Sequence, residues 1–454
     1  MKGDKTVPIF FHNLTGYDSH IIFRDIAEIE NIDDVQVIAK NLEKFISFSV
    51  KMSDCIFKLI FLDSFNFLCS SLSKLTDNLK NKTDILIVES DKIEVYQQYF
   101  KNTYNNFRVK HPELSISCFQ LLLRKGVYPY SYITDLEILN EKELPKQKDF
   151  YDNLNMKEIS DSDYQHAKEV WDLFSCSTLL DYHTLYMELD GSLLADIFEN
   201  FRTQCLYEYG LDPVYFMTAP SLSWEACLKK SKVKLQIITD PDINLFIDSA
   251  MIGGVSIARN PYLKANNEMV PDYDETKEKT WLINVDCNNQ YGYSMSKYLP
   301  TGDFRWVEDP SKFTKEYILA LKEEDESGFY LEVDLEYPNH LHEEHDQYPL
   351  APEHYTIKSS DLSEEQIKLS ADLNIKIGKQ TKLCLTLKKK LKYKLHYTNL
   401  QQCLKLGLVL TAVHRVLVFR QSPWMKSYID LNTRIRQRAI CKADEVNFFN
   451  YSLV

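Results

Sequence analysis

From Leu179 to Tyr209 the chain sets apolar residues at Leu185, Leu189, Leu193, Leu194, Ile197 and Phe198, the spacing of one long helix, and Gly210 follows as a residue suited to end it. Tyr186 and Asp190 lie four apart within it and so project from one face. Just upstream, Ser160-Asp-Ser-Asp163 reads as a helix start, with Ser160 as N-cap and acids in the first turn, and helical periodicity continues from Tyr164 to Phe174. Such helices need a large core, and the composition supplies it. Hydrophobic residues make up 44% and aromatic residues 13% of the 454 positions, enough for two or three domains. Only 12 glycines occur, which argues against long flexible linkers.

The rest of the chain reads as mixed α and β. Val7-Pro-Ile-Phe-Phe-His12 and the run from Phe57 to Phe65 have the composition of strands, with a helix from about Ser19 to Glu30 between them. Gly253-Gly254 reads as a loop before a strand at Val255–Ala258. Trp281-Leu-Ile-Asn-Val-Asp286 reads as a buried strand ending in a carboxylate, with Tyr291 and Gly292 following. Residues 303–372 are acid-rich and resemble an inserted subdomain. A helix is expected over Tyr397–Leu406, and the stretch Lys426–Val454 is helical in character. Ten scattered cysteines without a C-x-x-C pair fit reduced thiols better than a disulfide framework or zinc ribbon. The N-terminus has no apolar signal region and no run approaches the roughly 20 residues needed to span a bilayer. The expectation is a soluble intracellular protein, nuclear or cytoplasmic, with no membrane partner.

A formal net charge of −13 speaks against a nucleic-acid binder, but the charge is unevenly spread. Between Asp372 and Asp430 there is no acidic residue, while twelve Lys and Arg occur, among them Lys376, Lys379, Lys388, Lys389 and Lys390. A segment of that sign can attract a phosphate backbone; the alternative is a solvated basic face.

Three constellations can carry chemistry. Asp286 at a strand tip, with Tyr291 five positions on, can hold a divalent metal beside a nucleotide sugar, although strands also end in Asp for turn reasons. Asn13 and Asp18 lie at the junction of a strand and a helix, where the carboxylate can bind metal and the amide can contact a strand of nucleic acid; a capped helix start is the plainer reading. Tyr186 can orient a metal-bound water while Asp190 holds the metal, or the two are simply neighbours on a helix surface. Ser71-Leu72-Ser-Lys-Leu75 is unremarkable alone.

Their order is informative. Asn-x4-Asp, Ser-Leu-x2-hydrophobic, Tyr-x3-Asp, Gly-Gly and Asp-x4-Tyr-Gly in this succession resemble the protein-primed, organellar and viral family-B DNA polymerases. His12-Asn-Leu-Thr-Gly-Tyr-Asp-Ser-His20, Leu62-Asp-Ser-Phe-Asn-Phe67, Leu299-Pro-Thr-Gly-Asp-Phe-Arg-Trp306 and Gln421-Ser-Pro-Trp-Met-Lys-Ser-Tyr-Ile-Asp-Leu-Asn432 look like the members carried by Polinton-like transposons. The resemblance runs from about residue 7 to about 449. It implies an α+β multidomain fold: a ribonuclease-H-like 3′–5′ exonuclease domain over 1–210, the first part of a palm over 211–302, an inserted priming-protein subdomain over 303–398, and the start of fingers over 399–454.

The resemblance also implies roles. Asp18 and Asp190 become exonuclease metal ligands, Tyr186 the water-positioning phenol, and Asn13, Ser71 and Leu72 contacts to single-stranded DNA, with Lys125 in the place of a catalytic lysine. Gly253 and Gly254 match the loop between exonuclease and polymerase channels. Asp286 becomes a palm metal ligand, with Cys287 and Tyr291 at the nucleotide, and Lys388, Lys389 and Lys390 face DNA. Mg²⁺ or Mn²⁺ is the implied cofactor. Primer-template and single-stranded DNA, deoxynucleoside triphosphates and a terminal priming protein are the implied partners.

The chain departs from this pattern. Only twelve residues precede Asn13, with a lone Asp4 where an Asp-x-Glu pair is required. Asn450 stands where a triphosphate-gripping lysine is expected after Phe448-Phe449, and the second palm carboxylate does not occur. Loss of one well-placed electrostatic group typically raises a barrier by roughly 2.7–4 kcal/mol. The expectation is therefore a truncated, inactive polymerase fragment, with a non-catalytic DNA- or priming-protein-binding remnant as the alternative and a free-standing exonuclease more remote.

Overall fold

The computed structural model describes residues 5–15, 18–26, 28–41, 44–53, 56–88, 91–257, 262–375 and 381–441. The chain divides into two compact units, residues 1–230 with 428–454, and residues 231–427.

The first unit opens with a four-stranded sheet of β1 (Lys5–Phe11), β2 (Ile32–Ala39), β3 (Phe45–Met52) and β4 (Phe57–Asp63), in the order β1-β4-β3-β2. The last three strands form an antiparallel meander, and β1 runs parallel to β4, from Lys5 opposite Phe57 to Phe11 opposite Asp63. A parallel neighbour requires a crossover, and α1 (Asp18–Ile26) lies within it. Phe48 and Val50 of β3 point to a core completed by Leu14 and Ile26, and the Phe48 and Phe61 rings stack 4.4 Å apart.

Seven helices follow: α2 (Leu72–Ile87), α3 (Lys92–Tyr99), α4 (Lys101–Thr103), α5 (Ile116–Leu121), α6 (Asp161–Leu173), α7 (Leu179–Tyr209) and α8 (Ala219–Ser231). The expected long helix is α7. Thr178 caps it by accepting from the Asp181 N–H at 3.3 Å, while the Asp181 carboxylate accepts from the Thr178 and Ser177 N–H groups at 2.9 Å each. These bonds and the Ser177 hydroxyl hold the Asp181 carboxyl at about 2. Gly210 ends the helix at φ +62°, a left-handed conformation that glycine adopts without strain. Along its length α7 buries Leu179, Tyr182, Leu189, Leu193, Ile197 and Phe201. Asp196, also buried, accepts from the N–H groups of Asn102 (2.6 Å) and Thr103 (2.9 Å) and so fastens α4 to the rod. Ser160 caps α6, accepting from the Asp163 N–H at 3.1 Å.

The second unit holds α9 (Pro241–Ala250), α10 (Gln290–Met295), β5 (Leu299–Trp306), α11 (Lys315–Ala320), β6 (Ser327–Glu336), β7 (Glu353–Thr356), α12 (Glu364–Asp372), β8 (Thr381–Cys384), β9 (Lys390–His396), α13 (Tyr397–Lys405) and β10 (Val409–Ser422). An antiparallel sheet in the order β5-β10-β6-β9 packs against α13 through Leu331, Val333, Leu395, Leu400 and Leu404. Residues 399–422 thus share one sheet and core with much of 303–398. A last helix, α14 (Lys426–Arg438), joins the first unit: Tyr428 is buried beside Tyr209, and Asn432 Oδ1 accepts from the Tyr209 hydroxyl at 2.6 Å.

Several expectations are corrected. Trp281–Cys287 is irregular and exposed, not a buried strand, with Ile283 81% exposed. A strand forms only when a neighbour takes up its backbone N–H and C=O groups, and none of the described residues pairs with this segment beyond the isolated Asn266–Thr280 bridge beside it. Val255–Ile257 is likewise irregular, and Ala258 lies outside the described residues. The helix expected at Ser19–Glu30 is the shorter α1. The helix at the chain's end reaches Arg438, while Phe448, Phe449 and Asn450 lie outside the described residues. The described cysteines are free thiols, as expected. Among the described residues no helix is long and apolar enough to cross a membrane.

Candidate active site

Three sequence segments of the first unit, 12–15, 63–70 and 125–130, and α7 hold the candidate residues. Tyr186 donates its hydroxyl to Asp190 Oδ2 at 2.7 Å, one helical turn along, so the four-residue spacing acts as a contact. The Tyr186 hydroxyl also meets that of Tyr130, and the Tyr128 ring stacks on the Tyr186 ring at 4.6 Å. Tyr128 is itself held by a hydrogen bond to His183 Nδ1 at 2.6 Å. The close packing has a backbone requirement: a Cβ at Gly126 would fall 2.7 Å from Tyr186 Cδ2.

The electrostatics of this cluster are unusual. Burial raises the Asp190 carboxyl above its ordinary value, against the opposing pull of the Tyr186 hydroxyl, Lys125 and the Gly126 amide. Asp190 Oδ1 is fully buried, and no well-formed hydrogen bond reaches it from the described residues. Burial, Asp190 and Tyr130 drive the Tyr186 phenol far above its ordinary value. Tyr186 donates to Asp190, and its hydroxyl is the link between Asp190 and Tyr130.

Asn13 sits beyond the end of β1 at φ +69°, a conformation that asparagine tolerates better than most residues. Asp63, at the end of β4 and wholly buried, fixes that turn. Its carboxylate accepts from the N–H groups of Asn13 (2.8 Å), Thr15 (3.2 Å) and Phe65 (2.9 Å) and from the Thr15 hydroxyl (2.9 Å). His12 bridges the same turn to the next segment, with Nδ1 3.0 Å from Ser64 Oγ and Nε2 2.9 Å from the Ser70 carbonyl. Burial lowers the His12 pKa, and the Lys125 charge acts on both His12 and Asp190. Asn13, Lys125 and Tyr130 line one cavity. Asp18 opens α1, half-buried.

Sequence reasoning named Asn13, Asp18, Lys125, Tyr186 and Asp190, and missed Tyr128, Tyr130, Asp63 and His12. The stretch Lys125-Gly-Val-Tyr-Pro-Tyr130 carried a signal, two tyrosines just after a candidate lysine, but only the fold shows that they meet α7. Ser71 and Leu72 play local parts: the Ser71 hydroxyl caps α2, accepting from the Lys74 N–H at 3.3 Å, and Leu72 is buried. Leu72 is thus a core residue rather than a surface for DNA.

The second unit offers less. Asp286 and Cys287 are exposed on the irregular segment, and Tyr291 projects from α10 with 72% of its surface free. Among the described residues no group of three or more His, Cys, Asp or Glu side chains is placed to hold a metal, around Asp18 and Asp190 or around Asp286. A Cβ on Gly253 or Gly254 would meet nothing within 4 Å. The three lysines expected to face DNA differ. The Lys390 side chain is wholly buried, donating to Glu353 Oε1 (2.5 Å), Thr386 Oγ1 (2.6 Å) and the Thr386 carbonyl (3.0 Å), so it is structural. Lys388 pairs with Asp361 at 3.2 Å and lies over the Tyr355 ring at 4.1 Å. Lys389 is exposed. Elsewhere in the basic segment, Arg415 pairs with Asp242 and stacks on the Trp306 ring at 3.8 Å. Lys376 and Lys379 lie outside the described residues.

Among solved structures, the chain is similar to Phi29 DNA polymerase complexed with primer-template DNA and incoming nucleotide substrates (14% identity, TM-score 0.49), covering 98% of this chain and 58% of that one. Complexes of the same polymerase with primer-template DNA (14%, 0.47, 99% and 58%) and with single-stranded DNA (14%, 0.44, 98% and 58%) match as well. The chain thus spans 58% of the length of these polymerases. No curated protein matches it significantly. The sequence matches the family described as DNA polymerase type B, organellar and viral, over residues 3–447, and the chain belongs to that family.

Proposed function

We propose that the chain is part of a protein-primed DNA-directed DNA polymerase of the kind carried by Polinton-like transposons. Residues 1–210 would supply a ribonuclease-H-like 3′–5′ exonuclease domain, 211–302 the first part of the palm, 303–398 a subdomain for a priming protein, and 399–454 the start of the fingers. The observation that carries the exonuclease reading is the Tyr130–Tyr186–Asp190 chain beside Lys125 and Asn13. The desolvated Asp190 carboxylate, met by the Tyr186 hydroxyl and the Gly126 amide, is the kind of group that a divalent cation would stabilise, and Asp190, with Asp18, would hold Mg²⁺ or Mn²⁺. When bound, such a cation polarises the scissile phosphate and lowers the pKa of an attacking water.

The chain's own residues would do the remaining work. Tyr186 would orient the Asp190 carboxylate through its hydroxyl, which donates to Oδ2. Lys125 supports the ionised carboxylate against burial. Asn13, pinned by Asp63, would contact the strand end, and the Tyr130 ring, 64% exposed, would offer a face to a base. In the palm, Asp286 would be a metal ligand, with Cys287 and Tyr291 at a deoxynucleoside triphosphate, and Gly253 and Gly254 would line the passage of DNA between the two activities.

One observation favours a second reading, a non-catalytic DNA- or priming-protein-binding module. Asp286 stands exposed on an irregular segment, apart from any acidic cluster of described residues. Degradation of a 3′-ended single strand and primer extension, both with Mg²⁺, separate the readings. Exonuclease activity lost in Asp190→Asn and extension lost in Asp286→Ala support the enzyme; neither activity in the unaltered chain, with DNA binding retained, supports the module.

A further inference from the structure

We infer that the hairpin Tyr151–Ile159 is a clamp for the single-stranded 3′ end of DNA, an inference that rests on the exonuclease reading above. A cavity of about 870 Å³ is lined by Asn13, Lys125 and Tyr130 and equally by Leu154, Lys157 and Glu158 of this hairpin.

The hairpin is built in advance of any ligand. Asp152 and Lys157 exchange backbone hydrogen bonds at 3.0 and 3.2 Å. The Asp152 carboxylate accepts from the Leu154 and Asn155 N–H groups at 2.9 and 3.1 Å and from the Asn155 amide at 2.7 Å. Ser131, the residue after Tyr130, accepts the Asn153 N–H at 3.1 Å and ties the tip to the tyrosine segment. A turn fixed this firmly nonetheless holds two apolar side chains out of the core, Leu154 at 93% exposure and Met156 at 81%. The fold gains nothing from them there, whereas nucleobases seat on apolar and aromatic surfaces without regard to sequence.

The cavity also carries phosphate donors. Asp163, which lines it, is paired with Arg124 at 2.7 Å, and the hydrogen bonds of its turn keep Asp152 ionised. Lys125 and Lys157 stand beside Asp152 and Glu158, and their two ammonium groups are the contacts that the cavity offers to a phosphate backbone. Leu154 would seat a base behind the 3′ nucleotide, Lys157 its phosphate, and Tyr130 the terminal base.

The test uses the full chain and a 5′-fluorescein oligodeoxythymidylate of twelve nucleotides, with EDTA present to prevent hydrolysis. Leu154→Ser should weaken binding by about 5-fold, and Lys157→Gln should lower the slope of log affinity against log salt by about 0.7. Thermal melting of both variants should match the unaltered chain, since neither side chain is buried. Affinity and salt slope unchanged in both hairpin variants would overturn the clamp while leaving the exonuclease reading intact, because that reading is judged separately by 3′ digestion in Mg²⁺. Failure of the unaltered chain to bind the oligonucleotide overturns both.

Discussion

Truncation of Lys390 should damage the second unit without touching DNA affinity. Its ammonium is sealed from solvent and bonded to Glu353 Oε1 at 2.5 Å and to two oxygens of Thr386 at 2.6 and 3.0 Å. Burial pulls the lysine below its ordinary pKa and Glu353 pulls it back, so the pair sits near break-even against an apolar replacement. Breaking half of it is different. Lys390→Ala leaves the Glu353 carboxylate and the Thr386 oxygens without their donor and opens a gap where three methylenes and the ammonium were. Removal of one partner of a buried pair costs about 3–5 kcal/mol, and the 25% exposure of the Glu353 side chain puts this case at the lower end, about 3 kcal/mol. Lys390→Met with Glu353→Leu should recover most of that loss. Urea unfolding followed by tryptophan fluorescence gives the stabilities, and oligonucleotide binding at several salt concentrations gives the electrostatic slope. The slope should be unchanged in Lys390→Met and lower by about 0.7 in Lys389→Gln. A Lys390→Ala chain as stable as the unaltered one, or a reduced slope in Lys390→Met, would refute the structural role.

Tyr186→Phe, which removes the donor to Asp190 and the partner of Tyr130, should slow 3′ degradation by on the order of 10²-fold, measured on a labelled single strand in Mg²⁺. Gly126→Ala drives a methyl into the Tyr186 ring and should cost about 1–3 kcal/mol in urea unfolding while also slowing that degradation. Acidification should weaken the fold through His166 and His396, both held by burial at about 4, below the ordinary value of 6.5. Each remains neutral in the folded chain while the unfolded chain takes up a proton. Stability is therefore full above about pH 6.5 and falls as the pH drops toward 4. Replacing both by Gln should flatten urea midpoints between pH 7 and 5.

What the sequence disclosed was local. The periodicity of α7, the Ser160 cap, the Gly210 terminus and the shared face of Tyr186 and Asp190 all follow from spacings of one to four residues, and the structure keeps them. Tyr130 was invisible for the opposite reason: it lies 56 residues from Tyr186, and only the packing of the irregular 122–160 segment against α7 brings them together. Trp281–Asp286 has the composition of a strand, but composition does not supply the neighbour that makes one. Lys388, Lys389 and Lys390 looked alike as a run of charge. Lys388 and Lys389 precede β9, and Lys390, its first residue, is drawn into the core by Glu353, whose position no spacing encodes.

The rod α7 carries the candidate cluster of unit one and the mooring of α14 on a single axis. Asp190 lies nineteen residues from Tyr209, about 28 Å at 1.5 Å per residue, and Tyr209 is the point at which α14 is moored through Tyr428 and Asn432. A swing of about 5° at that mooring, pivoting on the Asp190 end, moves it by roughly 2.4 Å on this geometry. The residues buried between the two ends, Leu193, Ile197 and Phe201 among them, with Asp196 bonded to Asn102 and Thr103, resist such a swing, so the helix sets a fixed spacing between the candidate cluster and the mooring.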